Sequence, residues 1–300
     1  MQKIQLATDL EFSIIVLGMW RLLDWEKTDQ ELLSFIKESI ESGVTTFDHA
    51  DIYGNHECEA VFGKVMKNQS ALRDQMQLVS KCGIKLTTDK FPDREVKYYD
   101  YSASYIISQA EESLKNLETD YLDVLLLHRP SPFFNPEEVA KAFDRLKSSG
   151  KVNHFGVSNF LPLQLESLQT YVNEPLVTNQ IEISPYSLEH FENQTLDYLI
   201  SKKIVPMAWS PLAGGELLHP KTDKGTRALK AIKKVAQEIG ESQLDKVIYQ
   251  WLLMHPSQII PILGTGKIER IKTAVASLDI KMSLEQWFQI YIAALGKELP

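Results

Sequence analysis

Asp48, Tyr53, Lys81 and His128 are four side chains that together could deliver a proton to a carbonyl oxygen. A phenol can donate that proton, although its ordinary pKa near ~10 is high for the task. A neighbouring lysine cation favours the phenolate and is expected to lower that pKa. An aspartate beside the lysine keeps it charged and positioned. A histidine can hydrogen-bond the substrate oxygen and stabilise the charge that develops there. Proton delivery is half of a carbonyl reduction. The other half is hydride, which no amino acid supplies, so a nicotinamide or flavin must provide it. Taken singly, Asp48 could be a helix cap or loop residue, Tyr53 a packed loop ring and His128 a satisfied core histidine. Lys81, which ends an expected strand, is harder to dismiss in this way.

The elements that must position these residues alternate between strand and helix. After a short hairpin over 4–12, an apolar run at 14–17 ends at Gly18, as a buried parallel strand does. A helix over 29–42 follows, with Asp29 as its N-cap and Gly43 as its stop. Strands are expected at 44–48, 76–81, 122–127, 154–157, 176–181, 204–209 and 259–263. Helices are expected at 57–67, 102–118 (after a long polar loop), 136–149, 162–173, 190–202, 226–239 and 242–255. Two more, over 267–277 and 283–295, close the chain. Repeated strand–helix units of this number fit one α/β domain over residues 1–300, a (β/α)8 TIM barrel with an extra C-terminal helix. In such a barrel the carboxyl ends of the strands converge on one mouth. Asp48, Lys81 and His128 stand at or just past strand ends, and Tyr53 lies in the loop after Asp48. An open doubly wound sheet would want a Gly-x-Gly-x-x-Gly turn after the first strand. Gly18-Met19-Trp20-Arg21 is not one.

Composition bounds the function. A net charge of -8 and a pI near 5.5 lack the basic field a nucleic-acid surface needs. No apolar run is long enough for a membrane span, and Met1-Gln2-Lys3-Ile4-Gln5 does not open a signal peptide, so a cytoplasmic protein is expected. Cys58 and Cys82 suggest no disulfide framework. Cys82, beside Lys81, reads as a packed strand-end thiol.

Gly43-Val44-Thr45-Thr46-Phe47-Asp48-His49-Ala50-Asp51-Ile52-Tyr53-Gly54 resembles the signature of the aldo-keto reductases. Val79-Ser80-Lys81, Leu125-Leu126-Leu127-His128-Arg129-Pro130 and Phe155-Gly156-Val157-Ser158-Asn159-Phe160 resemble further blocks of that family, in the expected order. The Arg-Pro after the histidine is similar to the small bacterial oxidoreductase branch. The resemblance implies NADP(H)-dependent reduction of an aldehyde or ketone. It implies Tyr53 as general acid, Lys81 and Asp48 as its tuning pair, and His128 as the group orienting the carbonyl. By the same likeness Ser158, Asn159 and Gln180 hold the nicotinamide carboxamide, and Trp209 stacks on its ring where Tyr is more usual. Gly18, Met19, Trp20, Ser210, Pro211 and Leu212 complete that end. Gly264, Thr265, Gly266, Lys267 and Arg270 match the segment for the adenosine 2′-phosphate. Two departures stand there: Gly264 replaces a lysine of some members, and Thr273-Ala274 replaces a common Glu-Asn pair.

Trp20, Trp25, Phe133 and Phe134 are expected to wall the substrate pocket, which suits an apolar or aromatic carbonyl. The chain end after the last helix lacks the long loop of some members, which implies an open pocket. The partner expected is a small-molecule carbonyl. Two rival readings exist. Asp48, His49, Asp51, His56 and Cys58 superficially resemble the ligand cluster of a metal-dependent hydrolase. A non-enzymatic sensor of NADP(H) is the second rival, and the intact set of four residues speaks against it.

Overall fold

Eight parallel strands close into a barrel in which each lies beside its sequence neighbours and the last beside the first. They are Val16–Gly18, Thr46–Asp48, Gln77–Cys82, Leu122–Leu127, Val152–Ser158, Leu176–Glu182, Val205–Trp209 and Ile260–Leu263. The structure, a computed structural model, describes residues 3–300. The TIM barrel expected from the alternation is therefore present. The strands are short and almost wholly buried, as parallel strands covered on both faces must be. By compactness the chain divides into two units. One comprises the chain up to Asn179 with Gly264–Gly266, the other Gln180–Leu263 with Lys267–Pro300.

In the first unit, the hairpin Lys3–Ala7 and Leu10–Ser13 precedes the barrel. Ser13 joins it to the second strand: its Oγ accepts from Thr45 and Thr46 N–H at 3.1 Å, and its N–H donates to Thr46 Oγ1 at 3.0 Å. The helix Asp29–Glu41 is capped by Thr28, not by Asp29. The Thr28 N–H donates to the Glu31 carboxylate at 2.8 Å, and the Thr28 hydroxyl accepts from the Glu31 N–H at 3.3 Å, a reciprocal capping box. Helix Cys58–Met66 turns Glu59, Phe62, Gly63 and Met66 inward. The long polar loop after the third strand is not featureless. Ile84–Lys85 pairs antiparallel with Tyr98–Tyr99, so the loop is an arm with a paired base.

Register sets the heights of the polar residues. Gly18 pairs with Asp48, Asp48 with Val79, and Lys81 with Leu126. Lys81 stands two residues beyond Val79, so it projects to the same side as Val79 and one step nearer the strand's carboxyl end.

In the second unit, the helix expected over 190–202 is two pieces, Glu189–Glu192 and Thr195–Lys202. Asn193 Oδ1 accepts from the Thr195 N–H at 3.1 Å and its hydroxyl at 2.6 Å, while Gln194 takes a left-handed φ of 67°. That local capping competes with a continuous helix. The C-terminal helix Leu284–Leu295 is held by an indole pair. Trp251 and Trp287 stack at 4.7 Å and 3°, and each indole N–H donates to the other's backbone carbonyl, at 3.1 and 2.8 Å. No helix among the described residues is long and apolar enough to cross a membrane.

Candidate active site

The chain leaving the second strand stays stitched to the third. The His49 N–H donates to Val79 O at 2.8 Å and the Asp51 N–H to Lys81 O at 3.0 Å. Only then does it turn, with the Tyr53 N–H on Ala50 O at 3.1 Å, which carries the phenol back over Lys81. His128 follows the fourth strand, its N–H on Cys82 O at 2.9 Å.

The four residues meet. Lys81 is fully enclosed, and its ammonium lies 2.8 Å from both carboxylate oxygens of Asp48. It also donates to His49 O at 2.7 Å and to Tyr53 Oη at 3.0 Å. Three acceptor groups use up the three N–H bonds of an ammonium. Because the phenol oxygen accepts from Lys81, the phenol hydrogen is left to point elsewhere. Tyr53 as a residue is partly buried, although its phenol lies within the protein. The imidazole of His128 stands beside the phenol, ring centres 6.0 Å apart and edge to face.

Electrostatics refine the expected tuning. Burial pulls the Lys81 ammonium down, but Asp48 and Tyr53 outweigh it, so its pKa lies above the ordinary value. Burial raises the Tyr53 phenol, Lys81 draws it down, and Asp48 raises it again. The net direction is upward, which corrects the lowered value expected from Lys81 alone. The phenol therefore stays protonated at neutral pH. Burial, then the cations Lys81, Arg129 and Lys97, hold His128 well below the usual range, so it is a neutral imidazole.

Behind Lys81 lies a set of buried groups that sequence reasoning did not assign. Neither ring nitrogen of His49 and neither carboxyl oxygen of Asp51 has a hydrogen-bond partner. Burial and Lys81 push His49 down to about 3. Glu59 is buried and accepts from Ser80 Oγ at 2.5 Å. Burial lifts it to about 7, and burial with the Glu59 charge lifts Asp51 well above its ordinary range. The periodicity of helix Cys58–Met66 carried the signal for Glu59, which shares the inner stripe with Phe62 and Met66. Cys82 is buried with its thiol pushed far up by burial, as a packed thiol should be. Among the described residues no three of His, Cys, Asp and Glu come together as a metal site, so the ligand cluster suggested by Asp48, His49, Asp51, His56 and Cys58 does not assemble.

The remaining assigned residues sit as follows. Gly18 and Met19 are buried, and the Met19 N–H donates to Asp48 O at 2.8 Å. Ser158 ends the fifth strand and accepts from Asn159 Nδ2 at 2.8 Å. Asn159 is left-handed, with φ 61°. Asn179, which was not assigned, fixes the same turn by donating to Phe160 O at 2.8 Å. In the second unit Gln180 is buried and Trp209 ends its strand half-buried. Ser210 is left-handed with φ 51°, and Pro211 and Leu212 follow. Gly264 is open, with nothing within 4 Å of where a Cβ would lie. Thr265 is half-buried, while Lys267 and Arg270, at the start of helix Ile268–Val275, are exposed.

The expected aromatic walls disperse. Trp25 packs edge-on to Phe35 at 5.4 Å and lies where a Cβ on Gly266 would fall, at 2.5 Å. Phe134 stands between Tyr101 and Phe160, and Phe133 is 93% exposed. Trp20 remains open, at 61% exposure. Tyr101 braces the segment after His128, donating to Arg129 O and accepting from Arg129 N.

Comparison with known proteins gives consistent results. The profile of the Aldo/keto reductase family matches residues 14–294. The chain is 50% identical over 300 residues to the oxidoreductase YcsN of Bacillus subtilis, covering all of both chains. It is 43% identical over 300 residues to a 6-dehydroglucose reductase of Agrobacterium fabrum, again covering all of both. It superposes with a TM-score of 0.82 on the thermostable aldo-keto reductase Tm1743, at 25% identity, covering 98% of this chain and 100% of that one.

Proposed function

This chain belongs to the aldo/keto reductase family and is an oxidoreductase, and from that premise we propose that it reduces an aldehyde to an alcohol with NADP(H), using Tyr53 as the acid. The observation that carries the reading is the saturated ammonium of Lys81. It fixes the phenol oxygen as an acceptor, so the phenol proton points away from Lys81. A carbonyl oxygen placed there receives that proton as negative charge develops on it. Lys81 then stabilises the phenolate left behind, and Asp48 keeps Lys81 charged while it does so. Neutral His128 can give one hydrogen bond to the same oxygen and orient it.

The bound coenzyme supplies the hydride. The residues fit such a group by their chemistry. In the first unit, Ser158 and Asn159, bonded to each other, offer a hydroxyl and an amide that match the donors and acceptor of a carboxamide; in the second, Gln180 offers an amide of the same kind. Trp209 offers a ring face. In the second unit, the exposed Arg270 and the N–H groups opening helix Ile268–Val275 suit a phosphate dianion; in the first, Thr265 offers a hydroxyl of the kind a phosphate accepts from. The substrate is inferred to be an aldehyde on a polar, sugar-like carbon frame. The 43% identity to a 6-dehydroglucose reductase supports this, and so does the loss of Trp25 and Phe134 to packing elsewhere.

The test is Tyr53→Phe. Phe keeps the ring and removes only the hydroxyl. Single-turnover reduction of a sugar aldehyde should fall on the order of 10²–10⁴-fold, while the NADPH dissociation constant stays close to wild type. A rate near wild type would move the acid role to His128.

A further inference from the structure

The turn that carries Tyr53 is strained. Gly54, Asn55 and His56 follow it with φ of 57°, 55° and 67°, three successive left-handed residues. Glycine takes this conformation freely and asparagine tolerates it, but histidine does so at a steric cost. Such a turn persists only where its surroundings over-determine it. Its own helix contributes part: the N–H groups of Glu57 and Cys58 donate to Tyr53 O at 3.1 and 3.2 Å.

A further part comes from the arm that leaves the third strand just after Lys81. At its tip Lys90 donates to Asn55 O at 2.8 Å and to the Glu57 carboxylate at 2.7 Å. Phe91 meets the His56 ring edge to face at 5.1 Å. The Arg94 guanidinium lies over Phe91 at 3.6 Å and donates to Leu86 O at 3.1 Å, which locks the tip. At its base the arm is paired through Ile84–Lys85 and Tyr98–Tyr99, and Lys85 sits over the Tyr105 ring at 3.9 Å. One continuous arm thus has Lys81 at its root, against the phenol oxygen, and a clasp at its tip, against the turn that aims the phenol. His56 is the ring it grips, and burial together with Lys90 and Arg94 holds its pKa below the ordinary value.

We infer that Lys90 and Phe91 are positioning residues for Tyr53, holding its left-handed turn so that the phenol is aimed at the substrate oxygen. This rests on the role proposed above for Tyr53. An exposed Lys–Glu pair alone would contribute little. The effective contacts are the bond to the Asn55 carbonyl and the packed His56–Phe91 rings.

The experiment uses the full chain and variants Lys90→Met, Lys90→Arg, Phe91→Ala and Phe91→Leu, with two readouts. Amide hydrogen exchange over residues 53–58 needs no activity. Single-turnover reduction with NADPH is measured beside the NADPH dissociation constant. Lys90→Met and Phe91→Ala should quicken exchange in that segment and slow turnover on the order of tenfold or more, as expected for a small misplacement. Cofactor affinity should hold, and Lys90→Arg and Phe91→Leu should recover most of the rate. Unchanged exchange in both damaging variants overturns the clasp. Quickened exchange with wild-type turnover overturns its catalytic part. A wild type that moves no substrate, with exchange still responding to Lys90→Met, retains the clasp and removes the reductase reading instead.

Discussion

Glu59→Gln makes the buried acid behind Lys81 visible in stability. Glu59 is buried, and burial lifts its carboxyl from the ordinary 4.5 to about 7. The unfolded chain releases this proton at the lower value and the folded chain only at the higher one. Stability from this group is therefore fully present below pH 4.5 and lost as pH rises through about 7. At about 1.4 kcal/mol per tenfold step, the gap corresponds to on the order of 3 kcal/mol. Glutamine keeps an oxygen to accept from Ser80 Oγ but has no proton to lose. Urea unfolding of both proteins from about pH 5 to about pH 8.5 should show a variant curve flatter by roughly that amount. Asp51 stays in both proteins and keeps some slope in each. Parallel curves would mean that Glu59 is already ionised in the fold, and the reasoning from burial would be wrong.

Three further outcomes follow from the same geometry. Lys81→Met leaves the buried Asp48 carboxylate without its cation and should destabilise by about 3 kcal/mol or more while abolishing single-turnover reduction; thermal unfolding within a degree of wild type would deny that the pair is structural. Arg270→Ala should weaken NADPH binding by about 1.5–3 kcal/mol and leave NADH nearly unchanged in calorimetry, whereas equal loss for both would place the guanidinium away from the phosphate. Gly63→Ala would set a Cβ 1.9 Å from Asn116 O and 2.8 Å from Leu117 backbone atoms. Because backbone must move, about 1–3 kcal/mol should be lost, and an unchanged melting temperature would show that the helices part freely.

Much of this was legible because strand-end polar residues stand out against apolar runs. Lys81 and His128 interrupt or end such runs, and the structure places them where parallel strands would. Asp48 and Tyr53 were legible by their spacing from the same strand. The buried set was not. Past the strand end at Asp48, His49-Ala50-Asp51 belongs to the loop, and the backbone bonds from His49 and Asp51 to the third strand draw it inside. The sign of the Tyr53 shift was missed for a related reason: a neighbouring cation can be read from sequence, but the extent of burial opposing it cannot. The aromatic walls failed because ring positions depend on distant partners. Trp25 is claimed by Phe35 and the space over Gly266, and Phe134 by Tyr101 and Phe160. The two-piece helix at 189–202 turned on one Asn193 side chain, below the resolution of periodicity.

The face-to-face indoles of Trp251 and Trp287 have an optical consequence. Two chromophores held 4.7 Å apart with planes 3° from parallel are close enough to couple electronically, so their near-ultraviolet spectrum differs from that of two separate indoles. The protein thus carries a built-in spectroscopic gauge of its C-terminal helix. If that helix undocks, this coupling is lost and the near-ultraviolet spectrum changes even while the helix stays helical. Because both indoles are buried, the signal is insensitive to solvent additives that would perturb the open ring of Trp20. Fraying of the chain's end can therefore be followed by light alone, with no label attached.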